Sequence, residues 1–480
     1  MRLYLAAIGL SVLAATARAD IVFYTLPRTK LTIVLQGKVT VNPGATVTFR
    51  HPKFGTLYFA LQDVRVHELA TTEALAFKRL NQALQKNDAG QVMEAARWAL
   101  HRGLLRQFYQ TVDKALEIDP RQPDAVHVKE LKRRMDEPLA EPSAQEAELR
   151  QLVPKSRMKV QTSKHFILLH DTPAQPAPNR KKPRADERLE LLEAVYESFL
   201  LRFSAQGIDL ELPRERLKVV LFAEHRDFLD YAKQLNPNIG SAAGFWHKTR
   251  NVSVFFDQGT HESFQPLKEF HGKMQDLKKS ALKEVTSRTK DIVRTADTIA
   301  LLLEVAQESS DIEVVSHEAT HQMAGNTGLM PRHVMTPTWV HEGLATYFES
   351  PRDAAWSGIG AVNQERLESY RELSSHREFS NLDFIAKDQI FTQARSQTGV
   401  LFGYGQAWAL THFLMEKRFP QLMTFYRRLG EMPPDVLLSP ELLGKVFDEA
   451  FGADRSRLDS DWRTYMRSLK TDVERVLEER

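Results

Sequence analysis

The chain has no cysteine in 480 residues. That excludes disulfides and thiolate metal ligands, so the core must stabilise the fold and any metal site must use histidine and carboxylate. Beyond the first residues there is no uninterrupted apolar run of eighteen, so no later segment reads as a membrane-spanning helix. A large excess of one charge is also missing: 65 Lys and Arg stand against 62 Asp and Glu, a formal net charge of +3. Nucleic acid is therefore not an expected partner. The remaining composition, 42% hydrophobic and 26% charged, is that of an ordinary globular protein, and the length suggests two to four domains.

Residues 1–19 read as a secretory signal. Arg2 provides a positive start, Leu3 to Ala15 is apolar, and Ala17-Arg18-Ala19 is a small-x-small cleavage site ahead of Asp20. The apolar run is too short to span a bilayer. Cleavage near Ala19 would remove Arg2 and Arg18, lowering the net charge from +3 to +1, and the expected location is secreted or periplasmic.

Residues 20–68 alternate as strands do, at Val39, Val41, Val47 and Phe49, around the turn Asn42-Pro43-Gly44, and predict a small β unit too short to be stable alone. Residues 69–136 are helical in pattern, with Trp98, Ala115, Leu116 and Asp119-Pro120 spaced as in part of a tetratricopeptide repeat. This region is a candidate surface for a protein partner, although a plain helical hairpin is the simpler account of it. Pro138, Pro142 and Pro154 mark a linker over 137–156. A final domain over 157–480 opens with a strand at 164–169. The basic run Arg180-Lys181-Lys182-Pro183-Arg184 predicts a solvated loop. Strands are expected at 217–222 and, as a hairpin, at 245–256, and a charged helical insertion at about 264–309. His225, His247, His261 and His333 stand alone and read as surface or satisfied histidines.

His317-Glu318-Ala319-Thr320-His321 carries the chemistry. Two histidines four apart on a helix share a face, about 6 Å apart along the axis, so both rings can reach one metal. Glu318 projects beside them, where a general base for a bound water is needed. Seventeen residues later comes Trp339-Val340-His341-Glu342-Gly343-Leu344-Ala345. Catalytic zinc usually keeps three protein ligands and an open fourth position. Glu342 or His341 can supply the third, but neighbouring helix positions point about 100° apart, so only one of them can face the metal. Periodicity groups Glu342 with Ala345, Thr346 and Glu349, which favours Glu342 mildly.

These two motifs resemble the gluzincin metallopeptidases, whose aminopeptidase N branch follows an HExxH helix with an E-G-[FL]-A-x-Y helix. The resemblance implies zinc held by His317, His321 and Glu342, with Glu318 as the base. Gly403-Tyr404-Gly405-Gln406-Ala407 is similar to the segment that supplies that branch's transition-state tyrosine, which implies that role for Tyr404; here Gln406 and Ala407 replace the usual Lys and Gly. The branch's G-x-M-E-N recognition motif is absent. A closer likeness, spread over the last two-thirds of the chain, is to an uncharacterised group of secreted bacterial proteins with a gluzincin-like domain.

The expected fold class is therefore α+β: a mostly helical zincin-like catalytic domain with a small mixed sheet, preceded by the β unit and the helical segment. The expected function is zinc-dependent hydrolysis of peptide bonds in a peptide or protein substrate. The alternative is a catalytically inactive surface or scaffold protein that binds partners through its N-terminal regions.

Overall fold

A computed structural model describes residues 20–26, 32–178, 180–235, 242–283, 286–349, 351–352 and 354–478, so the signal-like segment 1–19 lies outside the described residues. The alternating apolar positions of the N-terminal segment form an antiparallel sheet of β1 (Asp20–Thr25), β2 (Thr32–Asn42), β3 (Thr46–His51), β4 (Gly55–Ala60) and β5 (Val64–His67), in the order β4-β3-β2-β1-β5. Val39 faces Phe49 and Val41 faces Val47 across β2 and β3, and Gly44 takes the positive φ that their turn requires. One side buries Val22, Tyr24, Val47, Phe49 and Phe59. That side closes on Leu301 and Ala354 from the C-terminal part of the chain, which supplies the apolar cover the small sheet lacks.

Four helices follow: α1 (Thr72–Leu84), α2 (Ala89–His101), α3 (Leu105–Ile118) and α4 (Pro123–Met135). Their buried face, including Val92, Ala96, Phe108, Val112 and Val128, is continuous with the main core. The segment expected to be a linker over 137–156 contains a helix instead, α5 (Ser143–Leu152). Pro142 lies just ahead of its first turn, where proline is tolerated, and Leu149 is fully buried against the second sheet.

That sheet runs β6-β7-β8-β10-β9, from β6 (Lys159–Thr162), β7 (Phe166–His170), β8 (Leu217–Phe222), β9 (Gly244–His247) and β10 (Val252–Phe256). β7, β8 and β10 are parallel and both edge strands antiparallel. Both faces are covered, so the central strands are uninterrupted apolar runs. On one face Ile167, Leu169, Val220 and Val254 meet α5 and α7 (His225–Leu235). On the other, Leu168, Val219, Leu221 and Phe255 meet α6 (Arg184–Ser204) and a long helix bearing Val315, Ala319 and Met323.

After α8 (Gln265–Ala281), this long helix, α9, runs from Ser287 to Asn326 without a break. The charged insertion expected to end near 309 has no boundary there: its second half and the His317–His321 segment are one helix of 40 residues, about 60 Å long. Before Gly325 the helix contains neither glycine nor proline, and Thr286 and Thr289 form a capping box at its start. The short loop after α10 (Thr338–Phe348) holds the two-residue strands β11 (Pro351–Arg352) and β12 (Ala355–Trp356). Helices α11 (Gln364–Ser374), α12 (Arg377–Ser380), α13 (Leu382–Ala386), α14 (Gln389–Thr392), α15 (Gln397–Lys417), α16 (Phe419–Gly430), α17 (Pro440–Phe451), α18 (Arg455–Ser468) and α19 (Asp472–Glu478) complete an α+β fold. Among the described residues no helix is long and apolar enough to cross a membrane.

The basic run at 180–184 is only half solvated. Arg180 and Arg184 turn inward with Arg188 and Lys53 around Glu308, at 2.6 Å, 2.7 Å, 3.0 Å and 2.6 Å, and Arg188 also pairs with Asp311 at 2.7 Å. Lys181 and Lys182 remain exposed. Two acids one turn apart on α9 drew in the arginines, a pairing that spans more than a hundred residues and has no local sequence signal.

Candidate metal centre

His317 and His321 lie on the C-terminal third of α9, which Gln322 pins to the sheet. Its side-chain amide donates to the carbonyls of Lys218 at 3.1 Å and Asn251 at 3.3 Å, and its oxygen accepts from Ser253 at 3.0 Å. On the cleft side, α9 meets β9 at Gly244. A Cβ there would stand 2.7 Å from Val314 and 3.3 Å from Glu318, so only glycine lets the edge strand lie this close.

Opposite α9 lies α10. Its N-terminus has no side-chain cap from Pro337 and is capped from fifty residues away: the Asp388 carboxylate accepts the backbone N–H of Thr338 at 2.8 Å and of Trp339 at 2.9 Å. Behind, α10 rests on α15 at Gly343, where a Cβ would be 2.2 Å from Thr411 Oγ1 and 2.8 Å from the Ala407 carbonyl oxygen. The glycine in the Glu342-Gly343 pair is therefore a packing requirement.

The result is a convergence of three donors. His317 Nε2 lies 3.0 Å from Glu342 Oε2 and 3.0 Å from His321 Nε2, and His321 Nε2 lies 3.6 Å from Glu342 Oε2. Three corners of a tetrahedron with bonds of about 2.0–2.1 Å are about 3.3 Å apart, so the spacing suits a small divalent cation bound by nitrogen and oxygen. The arrangement resolves the alternative left by the sequence. Glu342 joins the pair of histidines as a group able to hold a metal ion, and His341 does not belong to that group. The His341 ring stands 5.3 Å from that of His321, and burial pushes it down to about 4, which leaves it neutral.

A second layer, which the motifs did not announce, orients the first. His317 Nδ1 meets Glu349 Oε2 at 2.7 Å; Glu349 in turn takes the Arg366 guanidinium at 2.6 Å and the Asn363 amide at 3.4 Å, and Arg366 reaches on to Glu313 at 2.8 Å. Donation of Nδ1–H to Glu349 turns the lone pair of Nε2 toward Glu342 and His321. Glu349 is only 1% exposed, and after desolvation, which opposes it, Arg366 holds its carboxyl below the usual range. The helical period had already placed Glu349 on the face of Glu342, two turns on, which was the available signal. Arg366 and Asn363, on the next helix, had none.

Glu318 stands outside the donor group, 7% exposed, accepting a hydrogen bond from the Trp246 backbone on β9. Burial raises its pKa. Tyr404, on α15, reaches the same place: its ring lies 6.2 Å from His317, edge-on to Phe391 at 5.7 Å, and under the Arg366 guanidinium at 5.4 Å. Burial, then the charges of Glu342 and Glu318, raise its phenol, so it keeps its proton at neutral pH. All five residues singled out from the sequence thus surround one point. Such a site can polarise an oxygen ligand, take up a proton at Glu318 and donate one from Tyr404.

Among curated proteins, none matches the chain. Residues 311–435, from within α9 to just beyond α16 and including His317, Glu318, His321, Glu342, Glu349, Arg366 and Tyr404, match a family model described as a protein of unknown function, DUF1570.

Proposed function

We propose that this protein is an exported zinc metallopeptidase of the gluzincin kind, hydrolysing peptide bonds with Glu318 as general base. The observation that carries the reading is the convergence of His317 Nε2, His321 Nε2 and Glu342 Oε2 beside a buried carboxylate that is not one of the donors. Zinc, when bound by these three, supplies Lewis acidity and lowers the pKa of a coordinated water toward about 7.

The chain's own groups do the rest. Glu318 takes the proton of the attacking water and passes it to the leaving amine, a cycle suited to a carboxyl raised by burial. Tyr404 donates its hydroxyl proton in a hydrogen bond to the oxyanion that develops on the substrate carbonyl. Glu349, fixed by Arg366, keeps His317 in the tautomer that presents Nε2. Terminal in its sheet and next to Glu318, β9 offers backbone groups on which an extended substrate adds as a strand.

Zinc-loaded protein incubated with a diverse peptide library, with cleavage positions read by mass spectrometry, tests the proposal beside Glu318→Gln. Cleavage by the parent and none by the variant, both holding metal, is the expected result. Equal turnover in the variant would reject Glu318 as base. Absence of bound zinc, with full stability in chelator, would favour the inactive scaffold.

A further inference from the structure

Outside the metal centre, the β unit, the α2–α3 turn, the basic loop and the β11–β12 segment enclose a cleft of about 830 Å³. It adjoins Glu308 of α9 through Lys53 and Arg180, nine residues before His317 and so on the order of 13 Å away along the helix axis. Seven Lys or Arg and three Glu line it. Lys53 and Arg180 pair with Glu308, Arg180 also with Glu187, and Lys182 with Glu190. Among the described residues, Lys38, Arg50 and Lys181 have no carboxylate within ion-pair distance, and Glu73 is the only lining acid outside those pairs.

Lys38 and Arg50 are register partners on β2 and β3, so two like charges sit directly opposite each other on one face of the sheet. Such a pair is destabilising, and an anion between them would offset it. The cleft also continues past Arg102, which lines a second groove of about 520 Å³ along α1 and α2, where the Arg79 and Arg102 guanidiniums each lie 5.0 Å from the Trp98 ring. The track is thus elongated as well as positive. Glutamine amides line it at Gln36 in one cleft and at Gln82, Gln91 and Gln206 in the other. An amide donates and accepts, which suits a peptide backbone, whereas a sulfated or phosphorylated polymer offers mainly acceptors at a charge density that Glu73 and Glu94 oppose.

We infer that this track binds an extended acidic polypeptide segment, with Lys38 and Arg50 taking its carboxylates at a site separate from the metal centre. The test is fluorescence anisotropy of a labelled twelve-residue Glu/Ala peptide with the full chain, against the Gln/Ala peptide and a sulfated glycan of similar length. Saturable binding of the acidic peptide is expected, weakening with salt, absent for the Gln/Ala peptide and unaffected by Glu318→Gln. Lys38→Glu should weaken it at least ten-fold while raising the thermal midpoint, because it turns a repulsive cross-strand pair into an attractive one. A gain in stability shows that the variant folds. No binding at low salt, equal binding by Lys38→Glu, or tighter binding of the glycan than of the peptide would each overturn the inference.

Discussion

His317 and Glu349 are held together at 2.7 Å through the imidazole nitrogen that faces away from the donor group. The carboxylate is in turn gripped by Arg366, so the ring of the first metal-site histidine is aimed by residues from two further helices. Partners of this kind are typically worth 10- to 100-fold in metal affinity. Glu349→Gln should therefore weaken zinc binding by about that factor in competition with a chromogenic chelator, with the helical content unchanged. Unaltered affinity would mean that the contact does not orient the ring.

The approach of α10 to α15 leaves no room at Gly343. In Gly343→Ala the new methyl would meet the Ala407 carbonyl oxygen, which is backbone and cannot rotate away, as well as Thr411 Oγ1. Overpacking of this kind costs about 1–3 kcal/mol, to be read from urea unfolding. Because Glu342 precedes the glycine, the shift of α10 should also weaken metal binding. A variant as stable as the parent would show that the two helices are not wedged at this point.

Glu308 is 1% exposed and gathers Lys53, Arg180, Arg184 and Arg188 from the β unit, the basic loop and α6. Glu308→Ala removes the anion and leaves the buried cations, which for a broken buried pair costs about 3–5 kcal/mol. Chemical denaturation measures it. A loss below about 1 kcal/mol would show that water reaches the cluster in solution.

His101 supplies a pH dependence away from the metal centre. Burial, then the Arg202 charge, pushes it down to about 4, although Glu416 at 3.7 Å pulls the other way. A base depressed in the fold binds fewer protons than in the unfolded chain. Its contribution is therefore complete above the unfolded value of about 6.5 and is lost as the pH falls toward 4. The ring keeps about a fifth of its surface, so the loss between pH 7 and 5 is set at about 1 kcal/mol. His101→Gln should flatten the pH dependence of the urea midpoint by that amount. An unchanged slope would mean that the ring already titrates near its ordinary value.

Local pattern was enough to place His317, Glu318 and His321 together, because they lie on one helix and the i, i+4 spacing has a single geometric meaning, whereas the choice of Glu342 over His341, mild in the sequence, was made by the approach of a second helix. Local pattern also gave the strand over 217–222, whose apolar run is undisturbed. What it missed depends on distance along the chain. Asp388 caps a helix that begins fifty residues earlier, Arg366 reaches Glu349 from another helix, and Glu308 collects cations from three separate segments. A carboxylate carries no mark of the partner it will meet after folding. The continuity of α9 through 309 was hidden for another reason: its first half packs on α8 and the β unit and its second half on the sheet, so its apolar face changes direction and no single helical period runs through it.

X-ray absorption at the zinc edge of the metal-loaded protein reads the proposed donor set itself. One zinc per chain is expected, with two imidazole nitrogens at about 2.0–2.1 Å, carboxylate oxygen from Glu342, and a solvent oxygen completing four-fold coordination. In His341→Ala the spectrum should be unchanged. A zinc closed by four protein ligands with no solvent oxygen, a third imidazole that disappears in His341→Ala, or no stoichiometric zinc would contradict that donor set.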